Sequence, residues 1–579
     1  MHARENVRGM RFVWRLLFNG REKDLLIRSA DFSLSYPVMQ VLASRGMRTT
    51  EAIEEFLFTP ARPHLHEAEG LKGLDTAAAR IEAALAGKER ILIVGDYDVD
   101  GITATSLVLE GLIRLGAQVN FFIPNRFVDG YGLNKKIVER AHASGYQVVI
   151  TVDNGITAVE AAQRALELDI DLIITDHHTP HALLPKAYAL VNPKQPGCPY
   201  ECKELAGVGV AYKLIAALYQ RQKLPIPDCV YELLLLGTIA DVVPLVGENR
   251  SLVRYGLTKI RDRESLALSA LRSNARLERQ LTSQDIGFSL APQLNALGRL
   301  EDPREGVLFL LGTESNEVAR IGRRLYELNQ LRKEKERQVF DAVQATIASG
   351  EIALDQSFAL IAVGEHWPAG VIGLTAGRLS QLYGRPVFLF HRAGDVYKGS
   401  CRSVQGINVF ELLQSVTDMD IQFGGHSAAA GLSVPSKEFE RFKDAIQNRL
   451  KELVSLEDLV PLISCDAELS LDEVHVKLVK DLSLLEPFGA ANDRPLFYLS
   501  SVQVTGNPQL LKEEHVKCMV TDRGVVKPLI FFNRPELYSW LIRHEGALVD
   551  VAAYVQENEF RGRKSVDLQG VDIRLHEEQ

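Results

Sequence analysis

The sequence predicts an α/β protein in which a doubly wound parallel sheet is joined by a long helix to a smaller α/β domain, followed by a β-barrel. Three observations predict it. From Ala77 onward short β-branched runs alternate with helical stretches, the pattern of a parallel sheet covered on both faces. Glu314–Ala348 is rich in Arg, Lys, Glu and Leu, with Gly322 as its only breaker, and this composition predicts one long bridging helix. After Pro461 the chain changes to strand-like runs separated by turns, which predicts a small all-β barrel.

Taken in order, Ile91–Val94 predicts a strand, Thr103–Leu115 a helix, Val119–Ile123 a strand, Asn134–Ser144 a helix and Val148–Val152 a strand. Gly116 and Gly145 stand where helices end. Thr157–Leu168 continues as a helix, Leu172–Thr175 and Ala189–Val191 as strands, and Gly209–Gln222 as a helix. Glu232–Asp241 is an apolar segment closing on a carboxylate. Beyond the long helix come strand Phe358–Val363, helix Gly370–Tyr383, strands Pro386–Phe390 and Val396–Arg402, a helix near Val409–Val416, and helix Lys437–Leu453. Leu496–Val504, Lys517–Thr521, Lys527–Phe532 and Leu548–Val555 read as barrel strands. The divisions expected are 1–56 as a small cap, 57–312, the helix 313–350, 351–456 and 457–579.

Composition excludes several classes. At 579 residues with 46 % apolar and 24 % charged content, the chain should fold into several domains rather than remain disordered. A net charge of −9 argues against indiscriminate polyanion binding but permits a local basic groove. Six cysteines in so long a chain suit a reducing compartment, and Cys198-x-x-x-Cys202 lacks the second pair that a zinc site needs. No run approaches the roughly 20 apolar residues that span a bilayer. The expectation is a cytoplasmic protein without a membrane segment.

The chemistry lies where the first-half strands end. Ile91–Asp100 closes in Gly95-Asp96-Tyr97-Asp98-Val99-Asp100-Gly101, Val148–Asp153 in Asp153-Asn154-Gly155, and Leu172–His178 in Asp176-His177-His178. In doubly wound sheets ligands collect at the carboxyl ends of strands. Crowded carboxylates raise one another's pKa unless a cation keeps them ionised. Asp96, Asp98, Asp100, Asp153, His177 and Asp241 offer up to six oxygen and nitrogen ligands, enough for two ions, and a mixed carboxylate and imidazole set favours Mn2+ or Mg2+ over structural zinc. Two such ions suit in-line displacement at phosphorus. Acidic turns also cap helices, as Asp100 before a helix would. Three clusters at successive strand ends favour the metal reading.

Asp96-Tyr97-Asp98-Val99-Asp100-Gly101, Val152-Asp153-Asn154-Gly155-Ile156, Asp176-His177-His178 and Gly237-Thr238-Ile239-Ala240-Asp241 resemble the motifs of the DHH phosphoesterases. Within that superfamily the chain is most similar to the RecJ family of single-strand-specific DNA exonucleases. Pro124-Asn125-Arg126 with Gly130-Tyr131-Gly132-Leu133, Leu205-Ala206-Gly207-Val208-Gly209-Val210-Ala211, Asn295-Ala296-Leu297-Gly298-Arg299 and Glu486-Pro487-Phe488-Gly489 carry that likeness, from about Leu57 to near the C-terminus.

The resemblance implies a DHH catalytic domain, a DHH-associated domain marked by Gly424-Gly425-His426 and Lys398–Ser403, and an OB-like nucleic-acid-binding barrel. It implies two Mn2+ or Mg2+ ions held by Asp96, Asp98, Asp100, Asp153, His177 and Asp241. Asp98, Asp100, Asp153, Asp176, His177 and His178 form the catalytic set, His178 facing phosphate and Asp176 orienting its neighbours. By the same resemblance Arg126, Arg299, Ser400 and Arg402 take the terminal 5′-phosphate, which suits the planar arginine fork, and Gly425 and His426 contact nucleic acid. The implied activity is 5′-to-3′ hydrolysis of single-stranded DNA to mononucleotides in recombination and repair. The implied partners are single-strand-binding protein and a RecQ-type helicase, with the chain a monomer. Pro368 after Trp367 departs from the family's frequent histidine and leaves one substrate contact unassigned.

Two alternatives follow from the same residues. A phosphodiesterase for short oligonucleotides or cyclic dinucleotides would usually be shorter and lack the barrel. A non-catalytic single-strand-binding replication component would be expected to have lost ligands that this chain keeps. Phe497, Tyr498, Phe531 and Phe532 remain open between barrel core and base stacking. Gly207-Val208-Gly209 lacks the third glycine of a dinucleotide loop.

Overall fold

The computed structural model describes residues 6–18, 20, 22–61, 70–125, 129–130, 132–416, 419–560 and 563–577. The chain divides into two compact units. One comprises Pro60–Glu334 with Pro487–Asp493, the other Met1–Thr59, Lys335–Glu486 and Arg494–Gln579. The division falls inside one continuous helix, Ser315–Ala348.

In the first unit the strands are β1 (Arg90–Val94), β2 (Gln118–Phe122), β3 (Val148–Val152), β4 (Asp171–Thr175) and β5 (Ala189–Val191). They form one parallel sheet in the order β2-β1-β3-β4-β5. The crossover helices are α1 (Val99–Arg114), α2 (Lys135–Ala143), α3 (Val159–Glu167) and α4 (Gly207–Arg221), followed by α5 (Asp228–Ala240). Every residue of β3 is buried, because both sheet faces are covered. On one face Ile91, Ile93 and Ile150 pack with α1 and α4; on the other Leu92, Val94 and Val149 pack with α2 and α3. The chain winds one way from β1 to β2 and the other way from β3 to β4. The crevice at the carboxyl ends of β1 and β3 is therefore the switch point at which such sheets bind ligands.

Two local features differ from expectation. Helix α1 begins at Val99 rather than Thr103, because the Asp98 side chain caps it by accepting from the Gly101 N–H at 3.0 Å. Asp100 therefore sits in the first helical turn instead of preceding the helix. The segment closing on Asp241 is a helix, with Asp241 at its C-cap. Helices also fill Gly247–Asp262, Leu266–Asn274, Ala291–Leu300 and Arg304–Leu310, to which the sequence reading assigned no elements.

The second unit contains a five-stranded sheet. Its elements are β6 (Leu360–Gly364), α6 (Ala369–Tyr383), β7 (Val387–Ala393), β8 (Val396–Arg402), α7 (Val409–Gln414), β9 (Gln422–His426), β10 (Ala429–Pro435) and α8 (Phe439–Leu453). The order is β9-β10-β8-β7-β6, with only β6 and β7 parallel.

The barrel consists of β11 (Phe497–Leu511), β12 (His515–Asp522), β13 (Val525–Phe531), α9 (Glu536–Arg543), β14 (Leu548–Phe560) and β15 (Arg563–Leu575). Pairing runs β11-β12-β13-β15-β14 and closes through β11 with β14. Strand β15 escaped the sequence reading because Asp567, Asp572 and Gly570 interrupt its apolar alternation. Phe497 and Phe531 are fully buried in the barrel and Tyr498 packs on Trp14 and Phe18, whereas Phe532 is exposed. The N-terminal hairpin, Asn6–Arg8 with Val13–Leu16, extends through Leu462–Cys465 into a three-stranded sheet.

Candidate metal centre

The three acidic turns converge at the switch point. Asp96, Asp98 and Asp153 offer ligand atoms all within 4.8 Å of one another; so do Asp100, His177 and Asp241, and so do Asp153, His177 and His178. His177 Nε2 lies 3.2 Å from Asp153 Oδ1, 3.5 Å from Asp241 Oδ2 and 3.9 Å from Asp100 Oδ2. Asp153 thus belongs to both halves of a double cluster. Its backbone adopts φ +60°, a left-handed conformation that aspartate tolerates better than most residues.

Some of these side chains are held by backbone donors. Asp100 accepts from the Gly207 N–H at 2.7 Å and the Val208 N–H at 2.8 Å, at the N-terminus of α4, where the helix dipole favours an anion. A Cβ on Gly207 would lie 2.4 Å from Asp153 Oδ1, so only glycine lets this helix end approach both carboxylates. Asp176 accepts from the backbone N–H groups of Ile156, His177 and His178, and lies 2.8 Å from His178 Nδ1. Asn154 ties the strand ends together, donating to Val94 O and Val152 O.

Other oxygens and nitrogens make no hydrogen bond among the described residues. Asp96 Oδ1, Asp153 Oδ1, Asp241 Oδ2 and His177 Nε2 are buried without a hydrogen bond among the described residues. Buried polar atoms are nearly always paired, so a group of orphans calls for a ligand. Electrostatics point the same way. Burial, then neighbouring carboxylates, hold Asp96 and Asp153 well above the usual range, Asp100 at about 7 and Asp241 at about 9. Burial and the charge of His178 lower His177 to about 4. His178 goes the other way: burial opposes its charge, but the hydrogen bond and charge of Asp176 raise it to about 9. Asp176 itself resists the upward push of burial through His178 and its backbone donors and lies below the usual range. The orphaned atoms, mutual repulsion and hard oxygen-rich donor set fit divalent cations of the Mn2+ or Mg2+ type.

The expected phosphate contacts divide between the units. Arg126 lies outside the described residues. Arg299 is half-buried on Ala291–Leu300 in the first unit, and the same helix supplies Asn295 Oδ1 to the Val99 N–H at 3.2 Å. In the second unit Arg402 Nη1 donates to Ser400 Oγ at 3.0 Å, and α6 passes over both, since a Cβ on Gly373 would lie 2.9 Å from Ser400 Oγ and 3.0 Å from Arg402 Nη2. Gly425 and His426 are exposed at the end of edge strand β9. Sequence reasoning missed Asn192, which donates to His178 O at 3.0 Å, and Lys194 two residues on. Their loop carries no periodic signal; a basic residue soon after a strand end was the only clue.

Residues 90–238 match the DHH family, N-terminal domain, residues 355–452 the DHHA1 domain, and residues 465–572 the RecJ OB domain. The chain is 35 % identical over 545 residues to the single-stranded-DNA-specific exonuclease RecJ of Bacillus subtilis, covering 93 % of this chain and 68 % of that one. It is 34 % identical over 588 residues to the RecJ of Salmonella typhimurium, covering 95 % and 98 %. The crystal structure of RecJ in complex with Mn2+ from Thermus thermophilus superposes with a TM-score of 0.82 at 29 % identity, covering 98 % of this chain and 80 % of that one. Among the described residues no helix is long and apolar enough to cross a membrane. The chain belongs to the RecJ family of single-stranded-DNA-specific exonucleases.

Proposed function

We propose that the protein is a metal-dependent exonuclease that hydrolyses single-stranded DNA from its 5′ end to mononucleotides, in recombination and repair. The observation that carries this reading is the group of orphaned, mutually repelling side chains at the switch point. Support also comes from relatives named as single-stranded-DNA-specific exonucleases and from structures of RecJ with Mn2+ and Mg2+.

In this reading Asp96, Asp98 and Asp153 hold one cation and Asp100, His177 and Asp241 the other, with Asp153 beside both. Such cations supply Lewis acidity and positive charge at a phosphodiester. The remaining work falls to the chain. Asp176 holds the His178 ring through Nδ1 and favours its charged form, so the partly exposed ring suits a phosphate oxygen as a charged donor. Asp176 fixes the plane of that ring. Ser400 and Arg402, with Arg126 and Arg299, receive the terminal 5′-phosphate, and Gly425 and His426 contact the strand. The barrel binds single-stranded DNA. Single-strand-binding protein and a RecQ-type helicase are the partners this reading implies for a monomeric cytoplasmic enzyme.

The test uses purified protein with 5′- and 3′-labelled single strands, duplex DNA and RNA, with and without Mn2+. Mononucleotides released from single strands only with the ion, the 5′ label first, are the expected result. Release from the 3′ label first overturns the polarity, and equal activity in EDTA overturns the metal assignment.

A further inference from the structure

The loop between β5 and α4 carries a cation that the metal centre does not use. Asn192, fully buried directly after β5, accepts from the Lys194 N–H at 2.7 Å and donates to the His178 carbonyl at 3.0 Å. One side chain thus couples the position of Lys194 to that of His178. The Lys194 ammonium is 2.9 Å from Glu204, with lysine and glutamate side chains 23 % and 54 % exposed. Glu204 directly precedes Leu205-Ala206 and the α4 N-terminus that grips Asp100. The lysine therefore stands on the rim of the centre, half-covered and held from two sides.

The geometry points to Lys194 as a phosphate-binding residue that engages the single strand beside His178, with Glu204 holding the ammonium in place until the phosphate arrives. This rests on the nuclease reading above and adds a subsite to it. A lysine next to a cation site is electrostatically costly unless an anion joins them. A phosphodiester supplies that anion: its single negative charge is spread over two oxygens that face the cations, and it replaces a Glu204 carboxylate that is more than half exposed and so held only weakly. Lysine suits the role as a compact point charge with three donors.

The experiment compares K194Q, K194R and E204Q in the full chain. Binding of a labelled single strand is measured in EDTA across a salt series, Mn2+ binding by the paramagnetic resonance of free ion, and KM and kcat with Mn2+. K194Q is expected to raise KM several-fold and to flatten the salt slope by about 0.7, the value for one phosphate contact on a single strand. K194R restores both. E204Q leaves both at wild-type values or lowers KM, and Mn2+ binds K194Q at least as tightly as wild type, because a nearby positive charge has gone. An E204Q protein that copies K194Q shows a purely structural bridge and overturns the proposal, as does an unchanged salt slope in K194Q. If wild type cleaves nothing with Mn2+, the nuclease reading fails while the salt slope still decides Lys194.

Discussion

Buried carboxylates occur in both the metal centre and the barrel, and their surroundings are opposite. In the barrel Asp572, with no exposed surface, accepts from the Arg11 and Phe12 N–H groups and from Trp14 Nε1 at 3.0 Å. Asp550 is equally buried and is met by Ser501 N–H, Arg574 Nε at 2.8 Å and His576 Nδ1 at 2.7 Å. At the switch point Asp96, Asp153 and Asp241 each leave an oxygen orphaned. Both arrangements bury a charge, yet only one satisfies it from within. Satisfied carboxylates join parts of the fold, here the N-terminal hairpin to the barrel. Orphaned ones await a partner that is not protein.

The sharpest way to break this contrast is to neutralise one carboxylate of each kind. Asp153→Asn keeps a residue that tolerates φ +60° and removes one of several repelling charges. Mn2+-dependent cleavage should fall on the order of a thousandfold, since several kcal/mol of barrier lowering rest on the cations. The metal-free protein should melt at the same or higher temperature. Asp572→Asn should do the reverse, costing about 2 kcal/mol of stability through weakened donors around a buried acceptor while Mn2+ binding persists. Calorimetry in EDTA beside Mn2+ titration reads both. A destabilised Asp153→Asn protein with normal activity would remove the distinction.

Gly207→Ala probes the backbone behind the centre. The added methyl would meet Asp153 Oδ1 at 2.4 Å, so the carboxylate or the α4 terminus must shift. Activity should drop about ten- to a hundredfold, in keeping with the effect of roughly 1 Å misplacement, with stability lowered by about 1–3 kcal/mol. Wild-type kcat in this variant would show that Asp153 has slack.

How much of this was readable in the sequence varies with the residue. Asp96, Asp153 and His177 stood out because each follows a β-branched run, and a parallel strand buried on both faces ends visibly when charge begins. Asp241 was visible as a carboxylate closing an apolar segment and a family motif, but not as the cap of a helix. Its helix is buried on every side from Val230 to Ile239, so periodicity had nothing to report. Asn192 and Lys194 left only the faint mark of a basic residue soon after a strand end, since Asn192 bonds a carbonyl of His178 that no local pattern encodes. Phe531 and Phe532 are adjacent and share a composition, but strand alternation puts one in the barrel core and the next outside. Asp572 was hidden likewise, because its donors lie more than 550 residues away.

The ionisable groups at the switch point also predict a pH dependence with a definite sign. Folded Asp100 titrates near 7 and Asp241 and His178 near 9, against unfolded values of about 3.9 and 6.5 for aspartate and histidine. Between about pH 6.5 and 9 the folded chain therefore binds more protons than the unfolded chain, and stability falls as pH rises. His177, lowered to about 4, adds the opposite slope only below about pH 6.5. In EDTA the melting temperature should decline from pH 6.5 to 9, by several degrees, and saturating Mn2+ should flatten that decline by replacing protons with a cation. A melting temperature that falls equally with and without the ion would place the titrating groups elsewhere.

The smallest expected effect tests how Asp241 is aimed. Val242 follows it at φ +60° with 69 % of its surface exposed, where helices ordinarily place glycine. No packing of the Val242 side chain compensates a strain of about 1–2 kcal/mol. The turn is fixed from its far side instead: Val243 and Leu245 are buried, and Leu245 N–H donates to Ala490 O at 2.8 Å. The ionised form of Asp241, at the C-terminal end of a helix, is itself unfavourably placed, and both departures fall on one turn beside the centre. Val242→Gly relieves the strain but widens the conformations open to Asp241, while glycine's greater unfolded-state freedom costs about 0.5–1 kcal/mol. Stability in EDTA should change by less than about 1 kcal/mol. Mn2+ affinity should fall a few-fold, because preorganisation of one ligand is lost. Unchanged Mn2+ affinity would mean that the anchors at Val243 and Leu245 alone aim Asp241, and that the strain at Val242 has no part in metal binding.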